Sequence, residues 1–167
     1  PDGRGRKWLL APGMDRVYPN FAHGTAGVAY FLASLYQDRH AGHEPAADGT
    51  AESGSVRDFL DAAVAGARYL QTIATPVGNG CLIFRHEPDA RDLFYYSWCH
   101  GPAGTARLFH RLHEITGEPE WRDWVERLAR GVLASGVPEH KQPGFWNVSQ
   151  CCGSAGVAEF ALTMYQI

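Results

Sequence analysis

The chain has 167 residues, 45% hydrophobic and 20% charged, which are the proportions of an ordinary globular protein with one domain. Its net charge of −3 argues against a nucleic-acid-binding surface, which would need a clustered basic excess. No apolar run approaches the roughly 18 residues that cross a bilayer, and no signal-peptide pattern opens the chain, so we expect a cytoplasmic protein that does not bind membranes.

The first half of the chain predicts two helices. Residues 1–20 are rich in Gly, Pro and Arg and predict a loop. A helix is predicted from Gly24 to about Gln37, because apolar residues recur there with helical spacing. The small, polar segment 38–54 predicts a surface loop, and Ser55 is expected to cap the second helix. The expected core-facing residues of the two helices are Val28, Phe31, Leu32 and Leu35, then Val56, Phe59, Leu60, Ala63, Ala67 and Leu70.

The second half predicts a short hairpin followed by three more helices. Segments 81–84 and 93–96 look extended, and a turn at 87–89 would join them. Helices are predicted after His100, over about 118–134, and after the adjacent cysteines near the end of the chain. Their expected core-facing residues are Leu108, Phe109, Leu112 and Ile115, then Trp121, Trp124, Val125, Leu128 and Val132, then Val157, Phe160, Ala161 and Met164.

Three similar glycine-rich bends each precede one of these helices. Their sequences are AHGTAG from Ala22, CHGPAG from Cys99 and CCGSAG from Cys151. The equivalent second positions are His23, His100 and Cys152. A helical hairpin that follows such a bend is too small to bury its own apolar face, so neighbouring hairpins must stack. The repeat therefore predicts an all-α fold of stacked helical hairpins with small extended insertions.

The bends also carry the residues most suited to chemistry. Adjacent cysteines bridge each other only with strain, and the lack of a secretory signal favours reduced thiols over disulfides. A cysteine before a helix is expected to have a lowered pKa. If the hairpins curve into a ring, the bends converge and bring Cys99, Cys151 and Cys152 together with His23 and His100. Three thiolates suit zinc and leave its fourth position open, as a catalytic site requires.

These motifs resemble the signatures of the LanC-like lanthionine cyclases, and WCHG followed by CCG is similar to the Cys-Cys-Gly subgroup of that family. The resemblance implies an (α/α) toroid of seven helical hairpins, of which residues 1–167 would form one domain and an incomplete ring. It also implies a Zn²⁺ ion bound by Cys99, Cys151 and Cys152, where Cys152 replaces the histidine of most members.

The same resemblance assigns further site residues. His23 matches the family histidine proposed as an acid or base, and His100 follows the first ligand cysteine, where members carry a Tyr or His that lines the site. Tyr95 stands about where some members carry an arginine. Trp98 and Trp146 precede the bends, and either could contact substrate or pack in the core. We therefore expect Tyr95, Trp98 and Trp146 to form the substrate-binding set.

The implied reaction is the Michael addition of a peptide cysteine thiol to dehydroalanine or dehydrobutyrine, which closes a thioether ring in a dehydrated precursor peptide. Two alternatives stay open: addition of glutathione to dehydroamino acids in proteins, and a non-catalytic binding scaffold stabilised by zinc. Because an incomplete ring exposes apolar flanks, we also expect self-association or a larger synthetase polypeptide.

Four further residues have plainer interpretations. Cys81 lies in an apolar run and is expected to be a small buried hydrophobic residue. His110 and His113 lack the i, i+4 spacing of a zinc pair, so a solvated helix face is expected. His86 is given little weight as a site residue.

Overall fold

The computed structural model describes residues 5–41, 53–137 and 147–166, and within these ranges the fold is mostly helical, as the sequence predicts. The elements in chain order are α1 (Thr25–Ala41), α2 (Ser53–Ile73), β1 (Thr75–Val77), β2 (Gly80–Leu82), α3 (Pro102–Thr116), α4 (Pro119–Ala134) and α5 (Ser154–Gln166). No helix in these ranges is long and apolar enough to cross a bilayer.

The helices form stacked hairpins. Helix α1 packs against α2, and α3 packs against α4. The helices that follow the bends also contact one another, because α3 lies between α1 and α5. Helices α1, α3 and α5 each begin directly after a bend. Because these helices lie side by side, the three bends lie close together.

Local sequence sets the boundaries of the second hairpin. Helix α3 begins with Pro102 after the Gly101 cap, and proline suits a first helical position because its missing N–H would have no partner there. The helix ends at Gly117, whose φ of 69° allows its N–H to donate to the His113 carbonyl. Pro119 then begins α4, so this tight connection is encoded by two residue types.

The core between α3 and α4 confirms the predicted apolar faces. Phe109 is fully buried and stacks on Trp124, with ring centroids 5.6 Å apart. The other predicted residues that are buried here are Leu108, Leu112, Trp121, Val125, Leu128 and Val132. In α5, Phe160 is buried as predicted, whereas Ala161 is exposed. Cys81 is 1% exposed, which confirms its interpretation as a core residue.

The predicted apolar stripe of α1 is wrong. Phe31 is 62% exposed, and the fully buried residues are instead Ala26, Ala29 and Ala33. The reason is the close approach of α2: a Cβ on Gly66 would lie 2.8 Å from the Ala29 Cβ. Helix pairs at such short distances need small residues, so the face with the larger side chains points away from the contact.

Two predicted boundaries also need correction. Helix α1 continues to Ala41, so the predicted loop 38–54 begins later than expected. Helix α2 begins at Ser53, which places Ser55 inside the helix rather than at its cap. The remainder of that loop, residues 42–52, lies outside the described ranges.

The hairpin forms at a different place from the predicted one. Strands β1 and β2 pair antiparallel through a turn at Gly78, whose φ of 57° suits a tight connection. The predicted pairing of 81–84 with 93–96 is reduced to an isolated bridge between His86 and Ala90 and one hydrogen bond from Arg85 N–H to the Leu93 carbonyl (2.8 Å). The β1–β2 hairpin forms instead because only a two-residue turn separates its strands, which follow α2 directly.

Candidate metal centre

Backbone hydrogen bonds join the three bends in a row. The Ala22 N–H donates to the Cys99 carbonyl at 2.9 Å, and the Cys99 N–H donates to the Cys151 carbonyl at 3.0 Å. The middle bend is therefore bonded to both of the others. The convergence that the sequence predicts for the bends is present in the structure.

The repeated glycines explain why the bends have the same shape. The last glycine of each motif lies against the carbonyl oxygen six residues earlier: a Cβ would be 2.1 Å from that oxygen at Gly27, 1.9 Å at Gly104 and 2.1 Å at Gly156. Only glycine tolerates this approach, because any other residue would collide with backbone. The motif thus encodes a local geometry and not only a composition.

The three cysteines of the bends lie close enough to hold a metal ion. The Cys99 and Cys152 sulfurs are 3.4 Å apart, the Cys151 and Cys152 sulfurs are 3.5 Å apart, and all three lie within 4.8 Å of one another. A tetrahedral zinc ion with bonds of about 2.3 Å would separate its sulfurs by about 3.8 Å. Cys99 is buried and Cys151 is exposed, so the cluster has one side in the core and one side towards solvent.

The thiol pKa values differ from the expectation. Burial raises the pKa of the Cys99 thiol despite the opposing Ser97 hydroxyl. The hydrogen bond with Cys99 lowers the pKa of Cys152, but burial and the Cys151 thiol outweigh it, so that this pKa is also raised. Cys99 lies two residues before the Gly101 cap of α3, beyond the reach of the helix dipole. A bound cation would reverse this effect, because a coordinating thiol is deprotonated.

The two predicted histidines, which belong to the first and second bends, stack on each other. The ring centroids of His23 and His100 are 5.1 Å apart with an interplanar angle of 14°. His23 is exposed, whereas His100 is buried. Burial, together with the charges of His23, Arg85 and His86, lowers the pKa of His100 to about 4. The His100 imidazole is therefore neutral at neutral pH, and it is a weaker base than an ordinary histidine.

Two further residues belong to the histidine cluster: Tyr18, which the sequence analysis did not name, and His86, to which it gave little weight. The Tyr18 ring lies 5.2 Å from the buried His86 ring, and it also contacts both stacked histidines. Paired backbone hydrogen bonds of 3.0 Å between Val17 and Glu87 bring these segments together. The His86 Nδ1 atom lies 3.0 Å from Asp89 Oδ1, and burial lowers the pKa of His86. Nothing in the local sequence signals this pairing across the chain.

Two members of the predicted substrate-binding set lie beside the histidines. The Tyr95 ring meets His100 edge-on at 6.0 Å, and the Arg85 guanidinium carbon lies 4.9 Å from the Tyr95 ring centroid. Trp98 packs edge-on against Phe21 at 5.1 Å. Trp98 and His23 also line a cavity of about 520 Å³ whose other walls include Trp8, Leu9, Leu10 and Phe31. Trp146 lies outside the described residues.

His110 and His113 lie outside the cysteine group. His110 is partly exposed and has its Nδ1 atom 3.7 Å from Glu114 Oε2 on the same helix. The Nδ1 atom of His113 lies 3.0 Å from the Glu118 carbonyl. Neither residue belongs to the cysteine group, which agrees with the predicted solvated face.

The chain was compared with protein families, curated proteins and solved structures. A family model described as lanthionine synthetase C-like protein matches residues 11–167, which is nearly the whole chain. No curated protein and no solved structure gives a significant match. The match spans all three bends and both helical hairpins.

Proposed function

Because the chain belongs to the lanthionine synthetase C-like family, whose fold is an α/α toroid, we propose that it adds a peptide cysteine thiol to dehydroalanine or dehydrobutyrine and so closes a thioether ring. The main support for this proposal is the group of three sulfur atoms that lie within 4.8 Å of one another. Two stacked histidines belong to the same set of three bends as these cysteines, and we infer that they serve proton transfer at this site. The proposed substrate is a dehydrated precursor peptide.

The donor set fits zinc. Cys99, Cys151 and Cys152 would hold the ion, and three protein ligands leave a fourth position for the substrate thiol. When bound, zinc lowers the pKa of that thiol, so that the thiolate is present at neutral pH. The exposed side at Cys151 gives an incoming peptide access to the site.

His23 supplies the proton transfers. It accepts the thiol proton, whereas His100, kept neutral by its lowered pKa, is a weaker base stacked against it. The sulfur forms a bond to the β-carbon, the carbon–carbon π bond breaks, and its electron pair moves onto the carbonyl oxygen as an enolate. His23, stacked on His100 and exposed to the substrate side, returns a proton to the α-carbon. One proton leaves the thiol and one reaches carbon, so the reaction is balanced.

The test uses the zinc-loaded chain and a synthetic peptide that contains one dehydroalanine and one cysteine. We expect the free thiol to disappear while the peptide mass stays constant, because ring closure is an isomerisation. Cys152→Ala should abolish turnover, and Cys81→Ala, which removes a buried thiol outside the site, should not. Undiminished turnover by Cys152→Ala would contradict the proposal.

The same assay separates the alternatives. With glutathione present, a product heavier by one glutathione would indicate intermolecular addition rather than ring closure. A chain that binds one zinc ion but consumes no thiol in either assay would be a scaffold. Measuring zinc per chain alongside turnover therefore distinguishes the three functions.

A further inference from the structure

Arg85 is linked to His100 through the Tyr95 ring. Its guanidinium carbon is 4.9 Å from the Tyr95 ring centroid, and that ring is 6.0 Å from His100. Its backbone N–H is held by the Leu93 carbonyl at 2.8 Å. The Arg85 Nε atom is buried and has no hydrogen-bond partner within the described ranges. No carboxylate of the described residues forms an ion pair with it.

A buried donor without a partner is costly. Other arginines, on helices, pair with carboxylates: Arg68 pairs with Glu120, and Arg107 pairs with Glu159. The Arg85 guanidinium lies over the Tyr95 ring, and it is rigid and presents its donors as a fork. Because Arg85 as a whole is only partly buried, its other donors can meet a ligand.

The proposed reaction needs such a group. When the sulfur bonds to the β-carbon, the electron pair of the broken π bond moves onto the carbonyl oxygen of the dehydroamino acid. His23 transfers the proton, and neither histidine is assigned to this oxygen. Preorganised donors at a developing oxyanion give large rate effects, because they need no rearrangement when the charge forms.

We propose that Arg85 is a catalytic residue that donates hydrogen bonds to the carbonyl oxygen of the dehydroamino acid and stabilises the enolate formed there. This inference rests on the proposed function. It concerns one step only: the guanidinium gains no proton and loses none, and the enolate collapses when the α-carbon is protonated. It also defines the substrate, since the double bond must be conjugated to a carbonyl that Arg85 can reach.

The test compares Arg85→Met with Arg127→Met in the zinc-loaded chain, using the dehydroalanine–cysteine peptide. Arg127 is the matched control, because its guanidinium also lies over an aromatic ring, 4.2 Å from that of Trp124, in the α3–α4 hairpin. We expect Arg85→Met to lower kcat by about 10²- to 10³-fold. KM should change by less than about threefold, because the interaction strengthens only as charge develops. Arg127→Met should keep the wild-type kcat.

A second experiment uses chemical rescue. Ethylguanidinium added to Arg85→Ala should restore part of the lost kcat, and it should have no effect on Arg127→Ala. Zinc content and thermal melting are measured for every variant. A folded, zinc-loaded Arg85→Met with wild-type kcat would overturn the inference. Loss of folding in both Arg85 variants would also overturn it, in favour of a structural role. Absence of turnover by the wild-type chain would instead refute the proposed function.

Discussion

At the scale of single residues, the metal centre depends on sulfurs that are distant in sequence. Cys99 and Cys152 are 53 positions apart, yet their sulfurs lie 3.4 Å from each other. The raised pKa values of both thiols mean that, without a cation, the cluster favours protonated sulfur. Metal binding and thiol ionisation are therefore coupled at this site.

This coupling predicts the pattern of alkylation by iodoacetamide. In the zinc-loaded chain, we expect Cys151 and Cys152 to be protected, because coordinated sulfur is a poor nucleophile towards the reagent. After chelation, the exposed Cys151 should react first, and Cys81 should stay unmodified because it is 1% exposed. Mass spectrometry of peptides from the native protein measures each site. Equal alkylation rates for Cys151 with and without zinc would contradict metal binding there.

Glu87 gives a prediction for pH. Burial raises the pKa of this carboxyl, but hydrogen bonds from Lys7 Nζ (2.7 Å), Tyr69 OH (3.0 Å) and Arg91 outweigh burial and lower the pKa below its ordinary value of 4.5. A lowered folded-state pKa stabilises the protein above pH 4.5, and this contribution disappears as pH falls through the folded-state pKa. When it is ionised, Glu87 therefore links Lys7 of the N-terminal segment to Tyr69 of α2.

We therefore expect Glu87→Gln to lower the free energy of unfolding by about 1–3 kcal/mol near neutral pH, where the charge-assisted hydrogen bonds are lost. The difference from wild type should shrink at acid pH. Thermal melts at about pH 7 and at pH values well below 4.5 measure this. Asp61→Asn is the control, because the Asp61 pair with Arg57 is exposed. A Glu87→Gln difference that does not depend on pH would contradict the assignment.

The sequence was enough to select the three cysteines, His23 and His100 as candidate site residues. A repeated motif carries them, and each copy of the motif forms its own bend. Tyr18, His86 and Arg85 could not be predicted in the same way. Their place in the site depends on the bridge between Val17 and Glu87, which joins segments 70 positions apart. Such a contact depends on how the hairpins stack, and it leaves no local pattern.

At the scale of elements, small residues decide how closely the pieces pack. The predicted core-facing side of α1 was wrong. The helical period was read from the large apolar residues, whereas the contact with α2 buries small side chains such as Ala29. The stripes of α3 and α4 were correct, because large residues such as Phe109 and Trp121 fill that contact. The hairpin was misplaced because a tight glycine turn at Gly78 competes with a longer one at 87–89.

The same reasoning predicts the effect of a methyl group on α4. A glycine inside a helix is usually destabilising relative to alanine by about 1 kcal/mol. At Gly131, however, the added Cβ would lie 2.1 Å from the Cys81 backbone carbonyl oxygen of β2. We expect Gly131→Ala to lower the free energy of unfolding by about 3 kcal/mol, because overpacking outweighs helix propensity. Urea denaturation measures the change.

Gly66→Ala is the matched comparison, because it has the same propensity gain in α2. Its new Cβ would meet only side chains, the nearest being Ala29 Cβ at 2.8 Å and Trp8 Cζ3 at 3.0 Å. We expect a smaller loss, since an approach of 2.8 Å to a methyl carbon is a less severe overlap than one of 2.1 Å to a backbone oxygen. If Gly131→Ala is as stable as wild type, β2 does not press on α4 as described.

At the scale of the whole molecule, the described helices form part of a stack in which α3 has helices on both sides, whereas α1 and α5 each have an apolar surface without a neighbour among the described residues. Phe31 on α1 is 62% exposed, and Leu162 and Tyr165 on α5 are 67% and 92% exposed. Leu9 and Leu10 add to the surface near α1. Large apolar patches of this kind favour association.

We therefore expect this chain, on its own, to self-associate as protein concentration rises, with the flanks of α1 and α5 in contact. Sedimentation velocity over a concentration series measures this. The double variant Phe31→Glu with Leu162→Glu should shift the distribution towards monomer, because charge at both flanks opposes burial. Leu133→Glu is the matched control, because Leu133 is 77% exposed but lies on α4, and it should leave the distribution unchanged. A monomer that persists at all concentrations would mean that these flanks do not drive association.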